Sequence, residues 1–198
     1  GLYNIPTGST SDVTAALVGK WVTVRTDTSP LLTPNVTVTP PGQADLLFNG
    51  TPAEIGTAQV NAYIHTTLLH DFFKERQATY TELDCPIDAV TNASLSIANL
   101  SSCNAEFNAA NLGTAETCPE GGMRFHKAGG NCRNMAYSTV IGHEYGHFLI
   151  STLPTSPSAF NGPFVEGVGD ALATLVYDDP IIARDACGTN TFSRNIIT

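Results

Sequence analysis

An α+β fold is what this chain of 198 residues predicts. Three observations predict it. Apolar and polar residues alternate with period two near the start, apolar residues recur with helical period over 54–77, and two more helical segments lie either side of a proline-rich break in the last third.

The elements follow in order. Residues 1–52 are rich in Thr, Pro and Gly, yet Leu17-Val18-Gly19-Lys20-Trp21-Val22-Thr23-Val24-Arg25 alternates as a strand does, and Val36-Thr37-Val38 reads as another. This stretch is expected to be an N-terminal β-rich extension on a main domain covering 53–198. Residues 54–77 predict a helix whose apolar stripe is Ala58, Ile64, Leu68, Leu69, Phe72 and Phe73, with Lys74 and Arg76 favourably placed near its C-terminus. His65 and His70, five apart, have poor spacing for chelation from one helix face and are left out of any site. Residues 84–122 read as a long tied-down loop rimming the site. A helix is expected from about Met135 to Ile150, with Ser138 as its cap, and Pro154 and Pro157 prevent its continuation. A last helix begins after Pro163 and runs to about Tyr177, where Asp178-Asp179-Pro180 stops it.

Composition bounds the partners. Nine Lys and Arg against eighteen Asp and Glu give a net charge of -9, so the basic footprint of a nucleic-acid binder is missing. No apolar run approaches the 18 residues or so of a transmembrane helix, and no membrane association is expected. The chain starts at Gly1 without a signal-peptide pattern, as a processed or trimmed chain would. Five cysteines lack the paired spacing of a zinc ribbon and favour disulfides, expected as Cys118 with Cys132 and Cys85 with Cys103, leaving Cys187 over. Disulfides and few lysines point to a secreted or otherwise extracytoplasmic protein. Sequons at Asn35, Asn49, Asn92 and Asn99 hardly exceed the roughly three that chance supplies, so they decide nothing.

The chemistry concentrates in His143-Glu144-Tyr145-Gly146-His147. Two histidines four apart project from one helix face and can hold one metal ion, while the glutamate between them is placed to take a proton from a metal-bound water. Glu166 supplies a third ligand. A site with three protein ligands leaves a position open for water, as catalytic zinc requires. Asp170, one helical turn after Glu166, is placed to accept a hydrogen bond from a ligand histidine's other ring nitrogen. Gly167 and Gly169 each weaken a helix by about 1 kcal/mol relative to alanine, which makes sense if another backbone passes close there.

An HExxH motif followed some twenty residues later by Glu-Gly-x-x-Asp resembles the gluzincin metallopeptidases, which include thermolysin and the fungalysins. Further segments are similar to that family: Ala58-Gln59-Val60-Asn61-Ala62-Tyr63 leading to His70-Asp71-Phe72-Phe73, the edge-strand segment Asn104-Ala105-Glu106-Phe107, and Met123-Arg124-Phe125-His126 before the active-site helix. The resemblance implies a zincin-like catalytic lobe of mixed sheet with the active-site helix beneath it, and a zinc-dependent endopeptidase acting on protein or peptide substrates. It assigns zinc to His143, His147 and Glu166, the general base to Glu144 and the orientation of His143 to Asp170. Substrate backbone falls to Asn104 and Ala105, the pocket after the scissile bond to Val140, and the substrate carbonyl to Arg194. It also makes Asp178, Asp179 and Asp185 candidate calcium ligands, although EF-hand spacing is absent and a solvated acidic turn is the simpler reading.

Two departures qualify the expectation. Residues 148–165 contain no tyrosine to stabilise an oxyanion, and no histidine follows His147, so the C-terminal helical lobe that carries one in the family is expected to be truncated or to reside in a missing fragment of the same polypeptide. The competing reading is a zinc-binding, protease-like module with weak or no turnover.

Overall fold

The computed structural model describes residues 4, 6, 8–94, 103–108, 118, 121–154, 162–191 and 193–196. In chain order the elements are β1 (Ser11–Thr14), β2 (Val22–Thr26), β3 (Asn35–Val38), α1 (Glu54–Arg76), β4 (Ile87–Ala93), β5 (Ala105–Asn108), β6 (Gly122–His126), α2 (Ser138–Ser151), α3 (Gly162–Tyr177), β7 (Ile181–Ile182) and β8 (Arg194–Asn195). The α+β expectation holds. The sequon at Asn99 and the helix-breaking Pro157 lie outside the described residues.

A four-stranded mixed sheet, ordered β2-β4-β6-β5, forms the centre. β2, β4 and β6 run parallel, and β5 lies antiparallel to β6 at an edge, with Ala105 opposite Phe125 and Phe107 opposite Met123. All seven residues of β4 are buried, as a parallel strand covered on both faces must be. The 84–122 stretch therefore contains the central strand and is not one long loop. Ile87-Asp88-Ala89-Val90-Thr91 hid this because it neither alternates nor forms a long apolar run. Its one charge, Asp88, accepts from Arg25 Nε at 2.7 Å, which makes burial tolerable.

β2 corrects the boundary drawn at residue 52. Val22 and Val24 share one buried cluster with Ile87, Ala89, Met123, Phe125 and the helices, so part of the 1–52 stretch is integral to the sheet. Within the described part of that stretch β1 and β3 pair apart from it, in an antiparallel two-stranded sheet, as β7 and β8 do near the end of the chain. Val24 N–H donates to Leu17 C=O and Gly19 N–H to Val22 C=O, so the 17–19 segment folds back along β2.

α1 packs on β2, β4 and α2 through Gly56, Ala58, Gln59, Ala62, Thr66, Leu69 and His70. Of the expected stripe, Ala58 and Leu69 are buried and Phe72 and Phe73 pack against the core. Ile64 and Leu68 are exposed, because the face that meets the core runs through Ala58, Ala62, Thr66, Leu69 and His70 and leaves those two positions outside it. His70 serves this core. Its ring stacks on Trp21 with centroids 3.7 Å apart and meets Asp84 at 3.2 Å.

The cross-links are Cys85–Cys118 and Cys103–Cys132, which corrects both expected pairings. Tertiary pairing explains the exchange. Cys118 N–H donates to Pro86 C=O at 2.8 Å, placing it beside Cys85, and the β5–β6 register sets Cys103 next to the turn that ends at Cys132. Cys187 is the free cysteine, as expected, and is exposed. No helix among the described residues is long and apolar enough to cross a membrane.

Candidate metal centre

Two helices build the site. α2 begins at Ser138, but Tyr137 is its N-cap residue and no side chain caps it, so Ser138 does not have the capping role expected of it. α2 and α3 cross at a seam of small residues. A Cβ on Gly146 would lie 2.6 Å from Gly169 Cα, and one on Gly142 would lie 3.0 Å from Ala173 Cα. A Cβ on Gly169 would lie 2.7 Å from His143 Nδ1 and 2.9 Å from its carbonyl oxygen. Gly169 is thus required by close approach, as the sequence suggested. Gly167 is not, since a Cβ there would meet nothing within 4 Å.

That contact delivers the carboxylates of α3 to the histidines of α2. His143 Nδ1 meets Asp170 Oδ1 at 2.8 Å in a buried hydrogen bond. With the proton on Nδ1, donated to Asp170, the lone pair of Nε2 faces the site. His143 Nε2 and His147 Nε2 are 3.0 Å apart, and Glu166 brings Oε2 to 3.2 Å from the first and Oε1 to 3.6 Å from the second. Tetrahedral coordination with ligands at roughly 2.0–2.1 Å separates donor atoms by about 3.4 Å. The observed spacings bracket that value, and two imidazoles with one carboxylate suit zinc. The residues fit the ion.

Protonation states agree. Burial, with a smaller contribution from the Arg194 charge, lowers the pKa of His143, while Asp170 and Glu166 oppose the shift. Burial and the neighbouring His143 lower His147 to about 4. Both imidazoles are therefore neutral at pH 7 and able to ligate. Glu144, buried beside them, is pushed up to about 8 by desolvation and by the charge of Glu166, against a hydrogen bond from the Phe107 backbone. Without a metal the group is therefore mostly the neutral acid at pH 7, and a bound dication beside it would favour the carboxylate that a general base needs.

A cleft of about 440 Å³ opens over this centre. Asn104, Ala105, Val140, His143, Glu144, His147, Glu166 and Arg194 all line it, so the structure gathers every proposed substrate-side residue. Sequence reading missed its apolar wall of Met135, Ile182, Ala183 and Ala186, whose contribution depends on the β7 segment folding back beside α2. Arg194 also makes contacts that its spacing in the sequence did not suggest. Its guanidinium pairs with Glu166 Oε2 at 3.2 Å and Asp170 Oδ2 at 2.6 Å, and Nη2 lies 3.2 Å from both ring nitrogens of His143. It cross-links the carboxylates of α3 from its place on the cleft wall.

The candidate calcium ligands are not collected into a potential metal site among the described residues. Asp179 pairs with Arg184 at 3.0 Å and Asp185 with Arg133 at 3.2 Å. No tyrosine is among the described residues lining the cleft. A larger cavity, about 670 Å³, lies between the start of α1, the 128–139 segment and the 179–185 segment, and none of the three converging ligand residues lines it.

No family model matches the chain, and no curated protein matches it. Among solved structures the fold is similar to the precursor of protealysin, a metalloproteinase from Serratia proteamaculans, with a TM-score of 0.52 and 16% sequence identity. The likeness covers 83% of this chain and 48% of that one, so the chain spans about half the length of the structure it matches. The chain has an α+β, metalloproteinase-like fold.

Proposed function

We propose that this chain is the catalytic lobe of a zinc-dependent endopeptidase of gluzincin type. The observation that carries the reading is the convergence of His143, His147 and Glu166 on one point with Glu144 buried beside it. The likeness to a metalloproteinase precursor supports it independently. His143 Nε2, His147 Nε2 and Glu166 would hold the zinc, and Asp170 would keep His143 in its ligating tautomer. Zinc supplies a Lewis acid that polarises a peptide carbonyl and acidifies water. Glu144 accepts the proton released as water attacks that carbonyl, then returns it to the leaving amine. The edge strand β5 offers backbone groups of Asn104 and Ala105 to an extended substrate, which gives affinity with little sequence preference. Val140 and its apolar neighbours receive the side chain after the scissile bond. Arg194 holds Glu166 and Asp170 in place and is near enough to the cleft to meet a substrate carbonyl. The two disulfides fit an extracytoplasmic location.

A second reading rests on one observation, the lack of a tyrosine in the described cleft. Losing one oxyanion donor commonly costs about 3 kcal/mol, or about two orders of magnitude in rate, so the lobe alone would bind zinc and peptide while turning over slowly. One experiment separates the two. The chain is incubated with an unfolded protein, alone, with a chelator, and with zinc restored. Cleavage that the chelator stops and zinc revives supports the endopeptidase; zinc binding without cleavage supports the module; failure to bind zinc defeats both.

A further inference from the structure

Among the described residues, one cluster outside the candidate metal centre brings reactive atoms together. The sulfur atoms of Cys103, Cys132 and Cys187 all lie within 4.8 Å of one another, although Cys103 and Cys132 are already bonded. The exposed thiol of Cys187 therefore sits against a disulfide. Backbone contacts keep it there: Arg133 N–H donates to Ala186 C=O at 3.0 Å, the Arg133 guanidinium pairs with Asp185 at 3.2 Å, and Cys187 N–H donates to Thr191 Oγ1 at 3.0 Å. The Arg133–Ala186 bond ties the residues next to Cys132 and Cys187 together, which brings these two cysteines close at the backbone as well as at sulfur. Cys103 immediately precedes Asn104 and Ala105 and, like Cys187, lines the cleft.

We propose that Cys187 is an internal nucleophile for the Cys103–Cys132 bond, so that the β5 rim of the cleft exists in a strapped and a released form. The Cys187 thiolate attacks Cys132 Sγ, the Cys132–Cys187 bond forms, and the Cys103–Cys132 bond breaks. Cys103 leaves as a thiolate and takes up the proton that Cys187 gave away. One disulfide and one thiol are present before and after, so no external oxidant or reductant is consumed. In the strapped form Cys103 is anchored through Cys132 to the turn that follows β6. After exchange that anchor is gone, and a thiol faces the cleft beside Asn104. This goes beyond the proposed peptidase activity and does not depend on it.

The test is a disulfide map. Folded protein is incubated without reductant, its thiols are blocked with N-ethylmaleimide at intervals, and acid-quenched peptides are mapped without reduction. Label is expected first on Cys187 and then also on Cys103, together with a Cys132–Cys187 peptide, while Cys85–Cys118 stays intact. Cys187→Ser should abolish the Cys103 label entirely. In Cys103→Ser refolded with oxidised glutathione as the oxidant, Cys132 and Cys187 should pair. Label that stays confined to Cys187, or that moves to Cys132 instead, overturns the proposal, and so does Cys103 label that persists in Cys187→Ser. The wild-type time course decides the matter even if a variant fails to fold.

Discussion

Replacing Gly169 with alanine is the sharpest probe of how the site is built, because the same helix carries its own control. A Cβ at 169 would come within 2.7 Å of His143 Nδ1 and 2.9 Å of the His143 carbonyl oxygen, about 0.7 Å short of ordinary contact for the closer pair. The backbone of α2 cannot yield without moving, so α3 must shift. Overpacking of this kind costs about 1–3 kcal/mol, against a gain of about 1 kcal/mol from exchanging a helical glycine for alanine. Gly167→Ala receives the same propensity gain without the clash, since a Cβ there meets nothing within 4 Å. The two variants should therefore differ by the clash alone, about 1–3 kcal/mol in urea denaturation of chelator-treated protein, or about 2–4 °C in melting temperature per kcal/mol. The same shift would stretch the 2.8 Å contact between His143 and Asp170 to about 3.5 Å, beyond hydrogen bonding. Zinc affinity should fall about 10- to 100-fold in Gly169→Ala and stay unchanged in Gly167→Ala. Equal midpoints and equal zinc affinities for the two variants would refute the claim that α2–α3 contact sets the ligand geometry.

The remaining predictions concern the charges and the cross-links. Glu144→Gln should keep zinc and lose proteolysis, which metal analysis and a cleavage assay measure side by side. In metal-free protein the same change should stabilise. Glu144 is pushed up from 4.5 to about 8, so the wild type loses stability as pH rises through that window while glutamine does not. At pH 7 the difference is about 2.5 pH units at about 1.36 kcal/mol each, or about 3 kcal/mol, shrinking to nothing below pH 4.5; denaturation midpoints whose gap does not widen from pH 4 to 7 would count against the buried carboxyl. Asp170→Ala removes the acceptor of His143 Nδ1 and one partner of Arg194, and should weaken zinc binding at least about tenfold in competition with a chelator. Non-reducing peptide maps of freshly prepared protein should give Cys85–Cys118 and Cys103–Cys132 as the dominant pairs; a dominant Cys118–Cys132 bridge would contradict the sheet register.

How much was legible in the sequence depended on whether the signal was local. The candidate metal centre was, because His143 and His147 share one helix face by periodicity with Glu144 beside it, and Glu166 with Asp170 repeats the four-residue spacing on the next helix. The C-terminal ends of α2 and α3 were local too, near Pro154 and Asp178-Asp179-Pro180, whereas α2 starts at Ser138 and α3 at Gly162 rather than where the sequence put them. The central strand β4 was not. A strand buried on both faces lacks the alternation that betrays a half-exposed one, and Asp88 breaks its apolar run because Arg25 compensates the charge from a strand far away in sequence. The same holds for β2, which joined the sheet by pairing with β4 and so crossed a boundary drawn on composition. Disulfide partners, the close approach at Gly169 and the turning of Arg194 toward Glu166 and Asp170 are likewise properties of pairs distant in sequence. Residue spacing along the chain determined which atoms can bind a metal. Only the packing of α3 on α2 decided that they converge, because small residues at the crossing let the two backbones come close enough for carboxylate to meet imidazole.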